Sequence, residues 1–349
     1  MFALPPPPPP ALFRAANAYA PTARRDDTPQ PTPQAETNAP ASIPEPDEVV
    51  LSGLHDVKPW KAGWASALFP GGGFFYLRRS GRGAAYLGVE TIELTAVVAT
   101  VANSGYDPSD PSTNARLDRV LLPGVWLQDT HLTGIYDAYR AARVERHNLG
   151  YRTPIPEPGL AGLLRAPFEG HTLIRPRIAL PLALVAVGGA AFSLWYRDHA
   201  PAGSPTYWQL SRAPLLSRDV PNGRALAANE ANYAGAFYAV GIGEEALFRG
   251  VLQTTFEEWW GTTPGILAGS AVFGIAHFAN DPALPLAALG NVAFTSVLGT
   301  YLGWMYVDDG HDLRAGVAFH VWYDFLVGSA YFLADPAHQP LSARMTIPF

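Results

Sequence analysis

Residues 231–253 read ANYAGAFYAVGIGEEALFRGVLQ, a helix-length stretch that is small or apolar except around Glu244, Glu245 and Arg249. No charge lies between Ala231 and Gly243. This length and polarity predict a helix able to cross a hydrocarbon core of ~30 Å. Ionised groups at that depth cost about 2.5–3.5 kcal/mol each on insertion scales, so they persist where they have partners and a role. In a soluble protein, Glu-Glu-x-x-x-Arg would ordinarily be a solvated helix face. The apolar flanks remove that explanation and make the acid pair the first candidate site.

The composition agrees with a membrane setting. Of 349 residues, 48% are hydrophobic and 15% charged, against roughly 25% charged in ordinary soluble domains. A polar N-terminal region holds the mean hydropathy down to +0.04. The net charge of −6 and the lack of a basic cluster interleaved with aromatics weigh against nucleic acid as a partner. With no cysteine, disulfides, zinc–thiolate sites and thiol nucleophiles are excluded.

Residues 1–50 stand apart. Pro5 through Pro10 form a run, and Pro, Ala, Thr, Gln and Asp dominate up to Glu48. Such a segment buries too little apolar surface to offset the entropy of ordering, so it is expected to be disordered with polyproline II character. Ala18-Tyr19-Ala20 is a passable cleavage triplet. It lacks a basic n-region and has prolines in place of an apolar one, which disfavours a signal peptide.

Hydrophobic blocks follow at Trp64–Leu77 (broken by Pro70-Gly71-Gly72-Gly73), Ala84–Ala102, Val120–Ala138 (weaker), Ile178–Tyr196, Ala231–Gln253, Pro264–Ala279, Leu284–Val307 and Leu313–Ala334. The expected fold class is therefore all-α, a polytopic transmembrane helix bundle of about seven or eight membrane helices behind the Pro-rich N-terminus. The first block is too short to span alone and suits a re-entrant segment. Arg140, Arg143, Arg146, Arg152, Arg165, Arg175 and Arg177 crowd a Pro-rich linker, which the positive-inside rule places in the cytoplasm. Arg78, Arg79 and Arg82 lie two crossings earlier, hence on the same side. Ser104–Asn114 between them is acidic and free of arginine. The organisation expected is a disordered segment at 1–50, a membrane hairpin module at 57–150, a basic linker at 151–176 and a site-bearing domain at 177–349. Leu68–Tyr76 and Asp137–Ala142 resemble a small uncharacterised bacterial membrane module with a Pro-Gly-x-Gly turn and an Asp-Ala-Tyr motif, a likeness that implies no activity.

Three motifs carry chemistry. Glu245 and Arg249 are i and i+4 on a helix and able to pair, while Glu244 is turned about 100° away. Phe273-x-x-x-His277 and His320-x-x-x-Asp324 each repeat the one-turn spacing on other predicted spans. A lone histidine is more often a hydrogen-bonded core residue, and His320 with Asp324 could be a purely structural pair. For both to be so, on separate intramembrane helices, while the acid pair is idle too, is the weaker account. The other histidines, His55, His131, His147, His171, His199, His311 and His338, lack such a constellation.

Glu244-Glu245-x-x-x-Arg249, Phe273-x-x-x-His277 and His320-x-x-x-Asp324, in that order, resemble the CPBP family of intramembrane proteases, which includes the CAAX prenyl proteases of the second type. Asp324 takes a place held in the family by Asn or Asp. Gly299-x-x-x-Gly303 before Trp304-Met305-Tyr306 is similar to the family's third helix, and its small residues suit close backbone approach. The resemblance covers about residues 230–334. It implies hydrolysis of a peptide bond in a membrane-associated substrate, CAAX-type or other, by an integral multi-pass protein of a bacterial inner membrane. Glu244 would activate water, with Arg249 orienting the acids through Glu245. His277, His320 and Asp324, with Glu244 beside them, could bind a Zn2+-like ion or, without a metal, the developing oxyanion. Two other functions stay open: a non-catalytic membrane scaffold or immunity-type binding protein that keeps the protease fold, and a proton-coupled carrier. The carrier lacks visible inverted repeats.

Overall fold

The computed structural model describes residues 57–105, 118–200, 205–215, 218–280 and 285–336, all within one compact unit, Val57–Phe349. The Pro-rich segment, its Ala18–Ala20 triplet and most of the acidic Ser104–Asn114 stretch lie outside the described residues.

The first apolar block folds as two short helices, α1 (Pro59–Leu68) and α2 (Gly72–Tyr76). Pro59 occupies the first turn, where its missing N–H costs nothing. Gly71 makes the turn between them at φ +69°, a left-handed conformation in which a side chain would also meet the Gly83 carbonyl at 2.2 Å. The expected break at Pro70–Gly73 is thus a sharp helical corner.

Two long helices follow, α3 (Ser80–Ser104) and α4 (Asp118–Glu145), and α4 packs against α1 and α3. Short helical turns come next: α5 (Leu160–Arg165), a 3-10 turn (Ala166–Phe168) and α6 (Gly170–Leu173). They lead into α7 (Pro176–His199). An antiparallel ribbon, β1 (Arg212–Leu215) with β2 (Arg218–Pro221), pairs Arg212 with Pro221 and Leu215 with Arg218. The fold is all-α apart from this ribbon. From Asn222 to Trp260 the chain is continuously helical: α8 (Asn222–Glu245), a π-helical segment (Ala246–Gln253) and α9 (Thr254–Trp260). Then come α10 (Thr262–Ala276), α11 (Pro285–Asp308) and α12 (Arg314–Ala334).

Among the described residues, three helices are long and apolar enough to cross a membrane: α3, α7 and α12. α10 is apolar but shorter. The outward faces of α3 and α7 carry Ile92, Val98, Leu184 and Val187, each more than half exposed. In water so much exposed hydrocarbon would be a liability; against lipid tails it is matched to its solvent.

The core that positions the site joins α4, α5, α8 and α12 through Tyr136, Leu163, Ile242, Ala246, Val317 and Val321. Around it the arginines expected as free cytoplasmic cations are largely paired. Arg79 holds Glu145 at 2.8 Å, Arg82 holds Asp137 at 2.5 Å, Arg140 holds Glu157 at 2.5 Å, and Arg175 and Arg177 both hold Asp309. Arg143 is wholly buried. It donates to Asn148 Oδ1 and to the Thr153 carbonyl, under the ring of Tyr151. It fastens the chain reversal after α4 rather than presenting charge to a membrane surface.

Candidate active site

The acid pair sits where α8 gives way to the π-helical segment, so Glu244 and Glu245 close one helical register and Arg249 opens another. A π turn widens the helix by one residue per bond and recurs at functional sites. Across this junction Arg249 Nη1 donates to Glu245 Oε1 at 2.8 Å, the expected i,i+4 pair. Nη2 donates to the Gly299 carbonyl at 3.3 Å, and the guanidinium lies 4.2 Å from the centre of the Phe273 ring. One helical turn further, Gln253 Nε2 donates to the Gly303 carbonyl at 3.1 Å. The Gly299-x-x-x-Gly303 face of α11 therefore receives polar groups from the π segment. Arg249 is 2% exposed and Glu245 fully buried, so neither charge reaches solvent and each depends on the other.

His320, on α12, is held by the same carboxylate: its Nδ1 is 2.9 Å from Glu245 Oε1. Its Nε2 points the opposite way, 3.4 Å from Asp324 Oδ2 and 3.8 Å from Glu244 Oε2. His277 caps α10 rather than sitting mid-helix. Its Nδ1 donates to the Phe273 carbonyl at 2.7 Å. A carbonyl can only accept, so that nitrogen carries the proton and Nε2 of the neutral ring has a free lone pair. That Nε2 lies 3.8 Å from Glu244 Oε2. Glu244 Oε2 is buried and has no hydrogen-bond partner.

Phe273 organises the cluster. It is buried, makes edge contacts with Phe248 and with His320, and has His277 at 4.5 Å between ring centres. Glu244 and His320 are enclosed, whereas the side chains of His277 and Asp324 are 18% and 21% exposed. The cluster thus opens on the side that those two residues share.

Three separate elements, in the chain order of the motifs, bring His277 and His320 each within 4 Å of Glu244. Residues 230–326 match the family model described as Rce1-like, type II CAAX prenyl endopeptidase. All six candidate residues, Glu244, Glu245, Arg249, His277, His320 and Asp324, lie inside that match. No curated protein and no solved structure matches the chain. The Rce1-like domain and the three long apolar helices together point to an integral multi-pass membrane protein with a peptide or protein substrate.

Among the described residues no three His, Asp or Glu side chains gather as a metal-holding group. The donors of the Rce1-like domain meet in pairs, with Glu244 between two imidazoles and His320 between three carboxylates. His277, His320 and Asp324 do not form such a group.

Asp129, on α4 and outside the Rce1-like match, also reaches this region. It is 1% exposed with neither carboxyl oxygen bonded. It is near enough to interact electrostatically with Glu244, His320 and Asp324. In the sequence it stood out only as a neighbour of His131, which instead pairs with Glu90 at 2.8 Å. A buried acid in a block otherwise rated weak was the available signal.

Proposed function

We propose that the chain is an intramembrane endopeptidase in which Glu244 activates the water that attacks the scissile carbonyl. The observation that carries this is the orphaned Glu244 Oε2, 3.8 Å from the Nε2 of both His277 and His320. That distance is too long for a direct hydrogen bond and suits a shared water. The lone pair on His277 Nε2 accepts a hydrogen bond from one O–H of that water, which fixes its oxygen. Glu244 takes the other as the oxygen bonds to the carbonyl carbon. His320, flanked by carboxylates and a donor from both nitrogens when charged, holds the oxyanion at Nε2 while Glu245 anchors Nδ1. The proton on Glu244 then passes to the amide nitrogen as the C–N bond breaks.

Arg249 touches none of the reacting atoms; it holds Glu245 in place. Asp324 Oδ2 stands 3.4 Å from His320 Nε2, on the partly exposed side of the cluster. α4, α8 with its π segment, and α11 complete the membrane bundle beside the three apolar spans, their acids and histidines turned to one another rather than to lipid. The family's description supports a CAAX-type prenylated C-terminus as one substrate class, with other membrane-associated peptides as the wider one. Glu244→Gln keeps the shape of the side chain and removes its basicity. Cleavage of a membrane peptide by that variant should vanish while the protein still accumulates in membranes; cleavage at the unmodified rate ends the proposal.

A further inference from the structure

The hydrolytic scheme leaves unused one buried acid beside the site whose two oxygens have no partner. Asp129 keeps both carboxyl oxygens without partners, a state that buried polar groups seldom hold without a reason. α4 crosses α8 at Gly243, directly before the acid pair, where a Cβ would stand 2.5 Å from Asp129 Oδ1. Glycine at that position is what lets the carboxyl come so close to the site.

Asp129 also lines a cavity of about 300 Å3 between α3, α4, α5 and α8, walled by Val89, Trp126, Leu164, Tyr238 and Ile242. A mostly apolar chamber with one acid, its one cation Arg82 already paired with Asp137, suits a ligand with an apolar body and a hydrogen-bond donor at one end. A peptide entering at lipid depth brings backbone N–H groups that need acceptors, because no bulk water is there to serve them. Three acids around the site carry unpartnered oxygens: Glu244, Glu245 and Asp129. Glu244 is committed to water. Glu245 Oε2 faces the backbone of Gly316, 2.9 Å from where a Cβ there would stand. Asp129 remains, and of the three it is the one that lines the cavity.

Resting on the endopeptidase assignment, we propose that Asp129 and this cavity form a substrate subsite. The carboxylate accepts a backbone N–H next to the scissile bond, and the chamber takes a large apolar side chain on that side of it. Its walls on α3 and α4 come from outside residues 230–326, so the subsite belongs to this chain rather than to the matched domain.

The test uses the full chain in proteoliposomes with synthetic quenched apolar peptides carrying Leu or Ala on either side of the cleaved bond. Asp129→Ala should raise KM about tenfold, the worth of a buried hydrogen bond, with kcat held within about threefold. Asp129→Asn should do less, because its amide oxygen still accepts. Ala85→Phe, from an exposed position of α3 on the cavity wall, should slow the Leu peptide and spare the Ala peptide. Unchanged KM in both Asp129 variants, or equal slowing of both peptides by Ala85→Phe, overturns the subsite. Equal slowing is also what a lipid chain resident in the cavity would give. Should Asp129→Ala fail to accumulate, the discrimination between Leu and Ala peptides by Ala85→Phe decides, equal slowing overturning the subsite. Absence of any cleavage by the unmodified protein counts against Glu244 as the base. Binding of the same peptides, read by fluorescence anisotropy, then judges the subsite separately, and Asp129→Ala binding as tightly as the parent overturns it.

Discussion

His320 and Glu245 are joined by a 2.9 Å contact between Nδ1 and Oε1, the same oxygen that receives Arg249. One carboxylate therefore serves both a buried cation and the orientation of an imidazole. Glu245→Gln leaves Arg249 buried without a counter-charge, which should cost about 3–5 kcal/mol of stability. Glu244→Gln, whose Oε2 has no partner to lose, should cost far less. Thermal unfolding of the two variants in bicelles separates them. Replacing Glu245 and Arg249 together by leucine should recover much of the stability and none of the cleavage.

Gly243→Ala tests the crossing of α4 and α8. The new methyl would lie 2.7 Å from Asp129 Cβ and 2.8 Å from its Cα, so the helices must part, at about 1–3 kcal/mol. Both of those atoms survive in Asp129→Ala. Most of the penalty should therefore persist in that background, only the 2.5 Å contact with Oδ1 being relieved, and a double-mutant cycle on unfolding midpoints reads it directly. A penalty largely relieved by Asp129→Ala would mean that the carboxyl, not the backbone, sets the spacing.

Much of this arrangement is written in the chain, and some of it is hidden for physical reasons. The alternation of apolar blocks with Pro- and Arg-rich connectors locates most of the long helices, and the one-turn spacings of Glu245/Arg249 and His320/Asp324 anticipate two contacts that form. Hydropathy misses the first turns of α8, because Asn222, Arg224 and Glu230 are polar. Glu230 instead accepts a hydrogen bond from Ser329 at 2.7 Å. It misses the β1–β2 ribbon, which is too short to show a period. The π-helical widening is invisible because spacing arguments assume a constant 3.6 residues per turn. Asp129 escapes because its neighbours across space, Gly243 and Glu244, are more than a hundred positions away.

Arg143 predicts a defect of folding without one of chemistry. Arg143→Ala loses donors to Asn148 and Thr153, worth together about 2–4 kcal/mol. Arg143→Lys should fare little better, since an ammonium cannot reproduce the planar fork. Both should lower the amount of folded protein in membranes while the KM of what accumulates stays at the parent value, measured on yield-normalised samples.

The pairwise meeting of donors predicts insensitivity to chelation. Dialysis against a strong zinc chelator should leave peptide cleavage unchanged, and elemental analysis of the active protein should find zinc well below one per chain. Stoichiometric zinc that disappears in both His277→Ala and His320→Ala would instead establish a metal centre.

Because α4 lies along α8 with Asp129 against Gly243, the homology-sized portion of this polypeptide is a vessel with one side missing. Excising it would bare a row of tightly fitted small residues to lipid and let the bilayer flow in beside the acids. Grafting, truncation and chimera experiments should therefore carry the helix of Asp118–Glu145 along with residues 230–326, as one cannot be exchanged without re-cutting the other to fit.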